Sequence, residues 1–376
     1  MAISAAGIIF SSLNSNTLSR LTSDRTVAAI PFACRYRLID FCLSNMVNAN
    51  ISNINIVANY NYRSLLEHIG SGKDWDLARR SGGINIISPY QTAHSPSVSV
   101  FSTRMEALKN MKEYIDEFSE EYVVLSDSDH VLNVNLKAVL EAHQKNGADI
   151  TFVTKLLSPD YTSKTPRMMV SSTSGRINDV SMNSSYNPDN PELVLNIFVM
   201  KTLKLRKIIE SANSYSQNSL TAVLISGYKR ENYRTFCHTG FVAPVSSFLD
   251  YYRYSIMLAS SEEARASLLG QKELPIFTRV YNSSPTSYKG DSRVRNSMIA
   301  DECVIEGTVI NSMIFRGVRV EKGAVVKNSV LFHGTRVGRN CEVNCIVTDK
   351  DVYISDGSRL SGSENMPFYI EKNRKV

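Results

Sequence analysis

A short apolar strand, Ile8–Phe10, runs into Ser11, Ser12, Leu13, Asn14, Ser15 and Asn16, and then into the periodic segment TLSRLT that ends at Thr22. In a nucleotide enzyme a turn in this place is glycine-rich, because glycines let backbone N–H groups approach phosphates closely. Here the turn carries hydroxyl and amide side chains and no glycine, although the backbone N–H groups of Ser12, Ser15 and Asn16 could still donate. Two other groupings could do chemistry. Arg35 and Arg37 lie two apart, hence on one side of an extended segment, and paired guanidiniums suit a phosphate. The alternative is that they bond a domain interface or a carboxylate such as Asp40. Asp129 and His130 are adjacent, as a catalytic dyad would be. No nucleophile pattern accompanies them, so a hydrogen-bonded core or turn histidine is expected.

These groups need a scaffold of some size. The chain has 376 residues, more than one compact core organises, and two domains are expected. With 43% apolar and 21% charged residues it reads as a soluble globular protein. No apolar run approaches the roughly 20 residues of a membrane span, and the first dozen residues lack the pattern of a secretory leader. A cytoplasmic location is therefore expected. The six cysteines form no CxxC pair, which points to buried free thiols in a reducing compartment rather than a metal site. The net charge of +6 is mild and spread along the chain, which favours small anionic ligands over nucleic acid.

Buried strands are expected at Ile54–Ala58, Tyr122–Leu125, Ile150–Val153 and Leu193–Met200, all rich in Val and Ile. Helical patterns alternate with them at 104–118, 135–147 and 203–212. Such alternation implies βαβ units and an open sheet covered by helices, over residues 1–260. The polar, turn-rich stretch NSSPTSYKGDSR (282–293) reads as a linker, and 261–293 is assigned to it.

From 294 to 376 the pattern changes. Val320, Val337 and Ile354 recur every 17 residues, as do Val326, Val343 and Leu360. Gly323, Asn340 and Gly357 share that spacing, and so do Gly317, Gly334 and Asp351. An earlier turn near Val304 and Val309 fits with a one-residue offset. Inward β-branched residues six apart, with Gly, Asn or Asp at corners, indicate a parallel β-helix of about four coils. Such a module usually serves structure, assembly or regulation, and its end is a place for a partner to cap.

The run IPFACRYRLIDFCLSNMVNANI (30–51) closely resembles the PFGGKYRLIDFxLSNxxNSGI segment of the glucose-1-phosphate adenylyltransferase (ADP-glucose pyrophosphorylase) family, and VANYNYRSLLEHIGSGKDWDL (57–77) resembles the segment after it. The resemblance covers nearly the whole chain. It implies an α/β fold, a Rossmann-like nucleotidyltransferase domain with a mixed, mostly parallel sheet, followed by a C-terminal left-handed parallel β-helix. It also implies the chemistry of that family, ADP-glucose and pyrophosphate from ATP and glucose 1-phosphate with Mg²⁺.

The family's functional positions are altered. Its phosphate loop GGxGxRLxxLT falls on Ser12–Thr22, with Ser12, Leu13 and Ser15 in place of the glycines and Thr17 in place of the arginine. The lysine of RAKPAV falls on Val27. A leucine at 13 obstructs close approach to a triphosphate, and the two cations of the site are gone. Of the family's LAGDH, Asp129 remains as a residual metal carboxylate, with a strand-end capping role for Asp127 and Asp129 as the alternative. The second metal aspartate falls on Pro244, which has no ligating side chain. GTADA falls on Thr103–Ala107 (TRMEA), the sugar-contacting EKP on Met182–Ser184 (MNS), and a further glycine on Asn196.

Degraded motifs on a retained scaffold resemble the second, GlgD-type subunit found in some Gram-positive bacteria. The resemblance implies a modulatory, largely non-catalytic subunit in a heterotetramer with a homologous catalytic subunit, with no catalytic residue set intact and Mg²⁺ used by the complex rather than held tightly by this chain. Alternatives are a weakly active, self-sufficient nucleotidyltransferase and a sugar-phosphate-binding scaffold protein. By the same resemblance, Arg35 and Arg37, with Arg63 from the neighbouring segment, are effector-binding candidates for phosphorylated sugars or nucleotides near the domain junction. No nucleic acid or membrane partner is expected.

Overall fold

The computed structural model describes residues 3–11, 15–79, 82–88 and 101–376. Its N-terminal part is built on a nine-stranded sheet in the order Gly83–Ile87, Asn53–Val57, Ala5–Phe10, Tyr122–Asp127, Glu192–Lys201, Ile150–Leu156, Tyr233–Cys237, Arg176–Ser185 and Thr162–Thr173. The first four strands are mutually parallel. Glu192–Lys201 runs antiparallel to both of its long neighbours, and Arg176–Ser185 runs antiparallel to the adjoining Thr162–Thr173. The sheet is therefore mixed, as the family resemblance implies, with its antiparallel pairings at these two strands. The central strands are apolar along their whole length because helices cover both faces; all six residues of Ala5–Phe10 are buried.

The helices follow from local chemistry. Asn135 caps the helix Leu136–Lys145 by accepting from the Ala138 N–H at 3.0 Å, and Leu136, Val139, Leu140 and His143 form its buried stripe. The pattern at 104–118 is two helices, Arg104–Asn110 and Lys112–Asp116, interrupted at Met111. Five cysteines are buried and free, whereas Cys237 is exposed. No helix among the described residues is long and apolar enough to cross a membrane.

Three parallel five-stranded sheets make the faces of a C-terminal β-helix. Val320, Val337 and Ile354 stack in register, as do Val326, Val343 and Leu360. One level earlier Ile305, not Val304, stacks on Val320, because a shorter corner shifts the register. The two glycine–asparagine–aspartate columns share one cause. Gly323, Asn340 and Gly357 have φ of +76°, +55° and +73°, and Gly317, Gly334 and Asp351 have +71°, +73° and +57°. Each corner needs a left-handed residue, which Gly, Asn and Asp adopt most readily.

The stretch 261–293 is more than a linker. It contains the helix Glu262–Leu269 and the strand Ser287–Tyr288, which pairs with Val304–Ile305, so each face has five levels rather than four. The two parts share an apolar interface. Leu18, Val27, Phe32 and Tyr251 belong to one buried cluster with Phe315, Phe332 and Val347 of the β-helix. The Tyr252 hydroxyl donates to the Asn328 carbonyl at 2.8 Å across the same junction.

Candidate functional site

Open α/β sheets bind ligands at the carboxyl ends of their strands. Here those ends carry Ser11, Asp127 and Asp129. Ser11 is tied back, its N–H and hydroxyl both donating to the Val57 carbonyl, at 3.0 and 2.7 Å, and its own carbonyl accepting from Ala28. Ser12 and Leu13 lie outside the described residues. Ser15 and Thr17 fall in the short 3-10 segment Ser15–Leu18, with Thr17 exposed. Val27 is 1% exposed within the interdomain apolar cluster, in surroundings that would reject a charge.

The two aspartates are already occupied by this chain's own cations. Arg104 presents its side-on edge to Asp127, with Nε donating to Oδ1 at 2.8 Å and Nη2 donating to Oδ2. Asp129 Oδ1 pairs with His130 Nδ1 at 2.6 Å, and Oδ2 lies 3.6 Å from Arg167 Nη1. Burial alone would raise the Asp129 carboxyl, but His130, Arg167 and Arg104 outweigh it and hold it well below the usual carboxylate range. Pro244 pairs opposite His130 on a two-stranded ribbon, and the next residue, Val245, donates its N–H to the Asp129 carbonyl. The structure thus brings Pro244 and Asp129 together, as the motifs require, but among the described residues no carboxylate stands at the Pro244 position.

A magnesium ion in a nucleotide site takes one or two carboxylates along with phosphate oxygens. The residues present do not fit it: one aspartate is forked by an arginine, the other is held between an imidazole and a guanidinium, and proline stands at the remaining position. Among the described residues no group of three His, Cys, Asp or Glu side chains is placed to hold a metal ion. His130 is fully buried, as a core histidine would be. Arg104 and Arg167 were not marked by the sequence reading, which took TRMEA only as a lost motif.

A second site lies at the domain junction. A cleft of about 300 Å³ is lined by Arg35, Arg37, Arg316, His333 and Lys350, with Glu302 as an acidic residue in its wall. Asp40 accepts no hydrogen bond from either arginine side chain, although its charge acts on Arg37. Its oxygens are taken by His68 Nε2 at 2.6 Å, by the Thr278 hydroxyl at 2.5 Å and by the Arg37 backbone N–H at 3.0 Å. Arg37 donates to the Ser64 carbonyl and hydroxyl, and Arg35 is exposed with its guanidinium 5.8 Å from the Tyr36 ring. Burial lowers the pKa of Lys350, and repulsion from Arg37 and Arg25 lowers it further. Arg63 does not join this cluster: its side chain is 93% exposed and pairs with Glu67 one helical turn on.

The α/β sheet with its strand-end aspartates, followed by a hexapeptide β-helix, defines a nucleotidyltransferase-type chain. Residues 6–166 match the nucleotidyl transferase family and residues 284–365 match the GlmU-like C-terminal hexapeptide family. Similarity extends over the whole length to the glycogen biosynthesis protein GlgD of Bacillus subtilis (strain 168), 32% identical across 97% of this chain and 95% of the relative. The GlgD protein of Geobacillus stearothermophilus is 32% identical over the same shares. A glucose-1-phosphate adenylyltransferase of Bacillus cereus (strain Q1) is 27% identical over 93% of this chain and 92% of the relative. The chain belongs to the GlgD branch of the glucose-1-phosphate adenylyltransferase family.

Proposed function

We propose that this chain is a modulatory, largely non-catalytic subunit of a glucose-1-phosphate adenylyltransferase acting in glycogen biosynthesis, assembled with a homologous catalytic subunit in a heterotetramer. The observation that carries the reading is the occupation of Asp127 and Asp129 by Arg104, Arg167 and His130. An enzyme of this class needs the Asp129 carboxylate free for its metal; a subunit that only assembles and regulates does not. The last coil of the β-helix leaves Met366 and Phe368 78% and 52% exposed, which supports a contact there with another subunit. The test is kinetic. Added to its catalytic partner with ATP, Mg²⁺ and glucose 1-phosphate, the chain is expected to change the partner's maximal rate or half-saturation. Velocity and saturation curves that superpose with and without it would overturn the reading.

The junction cleft is the regulatory element in this proposal. Arg35, Arg37 and Lys350 set three cations around a small volume, and a phosphorylated effector would relieve the repulsion between Arg37 and Lys350. Lys350→Ala and Arg35→Ala are each expected to raise the effector concentration giving half-maximal response by about tenfold, the loss of one charge-assisted hydrogen bond. The effector-free rate of the complex should stay as it is. Activation or inhibition curves unchanged in both variants would leave these side chains a structural role only.

A further inference from the structure

The corners that join the first two faces of the β-helix are not all of one length. Residues 289–292, 321–324 and 338–341 make four-residue corners, whereas 306–307 makes a two-residue one. Stacked coils lie about 4.8 Å apart, so the short corner cuts a notch into an otherwise even edge, and a cleft of about 630 Å³ opens there. Gly307, buried, and Thr308, half-buried, lie at its base. A side chain at 307 is excluded, because a Cβ would lie 2.3 Å from the Ala324 carbonyl oxygen of the next coil. The short corner also strands a donor. Asn340 and Gly357 each donate their N–H to the coil before, to the Lys322 carbonyl at 3.2 Å and to the Arg339 carbonyl at 2.8 Å. Gly323 holds the equivalent place one coil earlier, where no residue stands to accept. It is exposed, and among the described residues its N–H takes no backbone acceptor.

The walls of the notch are mostly cationic. Lys289, Arg293, Lys322 and Arg339 line it against Asp291 and Glu306. Lys289 lies 3.8 Å from Glu306 and Arg339 lies 3.5 Å from Glu321, loose exposed pairs that contribute little in water. Arg293 and Lys322 make no ion pair among the described residues. Val294 stacks on Val309 in the inward column, so Arg293 beside it points out of the coil. Two coils separate Arg293 from Lys322, about 10 Å between their backbones, farther than the oxygens of one phosphate reach. We propose that this notch binds a small molecule carrying two or more phosphoryl groups, one held by the Gly323 N–H and Lys322 and another by Arg293. A tetrahedral phosphoryl group can take a backbone N–H and a cation together where glycine leaves the backbone bare, and a guanidinium matches two oxygens of the second group. Lys289 and Arg339 flank the ligand and add attraction. The notch is built by the β-helix alone and shares no lining residue with the junction cleft.

The inference does not rest on the modulatory role, and its test uses the full chain alone. The background carries Arg35→Ala and Lys350→Ala, so that binding at the junction cleft is weakened. Tripolyphosphate, orthophosphate and citrate are titrated separately at constant ionic strength, with the Gly323 amide resonance and the Arg293 Nε–H resonance as readouts. Saturable shifts of both are expected with tripolyphosphate, and weaker binding of the other two anions. Arg293→Gln and Lys322→Gln are each expected to weaken tripolyphosphate binding by about tenfold, the loss of one charge-assisted hydrogen bond. Arg319→Gln/Arg336→Gln removes two cations from exposed positions on the adjoining face and is expected to bind as its parent does. The proposal fails if tripolyphosphate does not shift both resonances, or if orthophosphate or citrate binds as tightly. It fails equally if the Arg319/Arg336 variant loses as much affinity as the notch variants, which would mark a diffuse attraction to the whole β-helix.

Discussion

Purified alone and given ATP, Mg²⁺ and glucose 1-phosphate, the chain is expected to form ADP-glucose on the order of 10⁴-fold or more below a family member with an intact glycine loop. Each electrostatic donor aimed at a transition-state charge is worth about 3–4 kcal/mol, and two are absent, at Thr17 and Val27. The defect is not confined to missing groups. Val27 is buried among Leu18, Phe32 and Tyr251, so Val27→Lys would place an unpaired cation in an apolar cluster and cost stability instead of restoring rate. Asp129 is committed to His130 and Arg167, and Pro244 offers no oxygen. The double variant Thr17→Arg/Val27→Lys is therefore expected to stay at background, and Asp129→Asn to leave that background unchanged. A Mg²⁺-dependent activity of the isolated chain that Asp129→Asn abolishes would show it to be an enzyme in its own right.

What could be read from the sequence was what neighbouring residues decide. The β-helix was legible because inward Val and Ile and left-handed corner residues repeat at a fixed local period, as Val320, Val337 and Ile354 show. The register shift at Ile305 was legible only as a one-residue offset near Val304, since its full extent depends on the length of a corner. The core strands were legible from their Val and Ile runs, but the antiparallel setting of Glu192–Lys201 was not, because strand direction is fixed by how distant segments close. At the strand ends the losses at Thr17, Val27 and Pro244 could be seen as missing residue types. Their counterpart, the pairing of Arg104 and Arg167 with the two aspartates, depends on contacts 23 and 38 positions away along the chain. Arg63 shows the converse: it shares a segment resemblance with the region around Arg37, yet its helix turns it to solvent.

Removal of Arg25 is expected to be the most destabilising single change at the domain junction. Its Nη2 donates to both oxygens of Asp349 in the β-helix, at 2.8 and 2.9 Å, and both side chains are 2% exposed. Burial disfavours the Arg25 charge, but Asp349 more than offsets it. Breaking such a pair from one side leaves a charge in a dry interface, at a cost of about 3–5 kcal/mol. The Tyr369 hydroxyl, 2.7 Å from Asp349, can compensate only in part. Arg25→Leu should lower the unfolding free energy read from a urea titration by that amount, whereas Arg25→Leu/Asp349→Leu should recover much of it, because the apolar cluster with Phe332 and Tyr251 can absorb two apolar side chains. A fully additive double variant would mean that the pair contributes little coupling across the junction. Arg25 also repels Lys350 and Arg37 in the adjoining cleft. Its loss should therefore weaken anion binding there through lost positive potential, even though the cleft's own side chains are untouched, so that the contact joining the domains also sets the charge of the site between them.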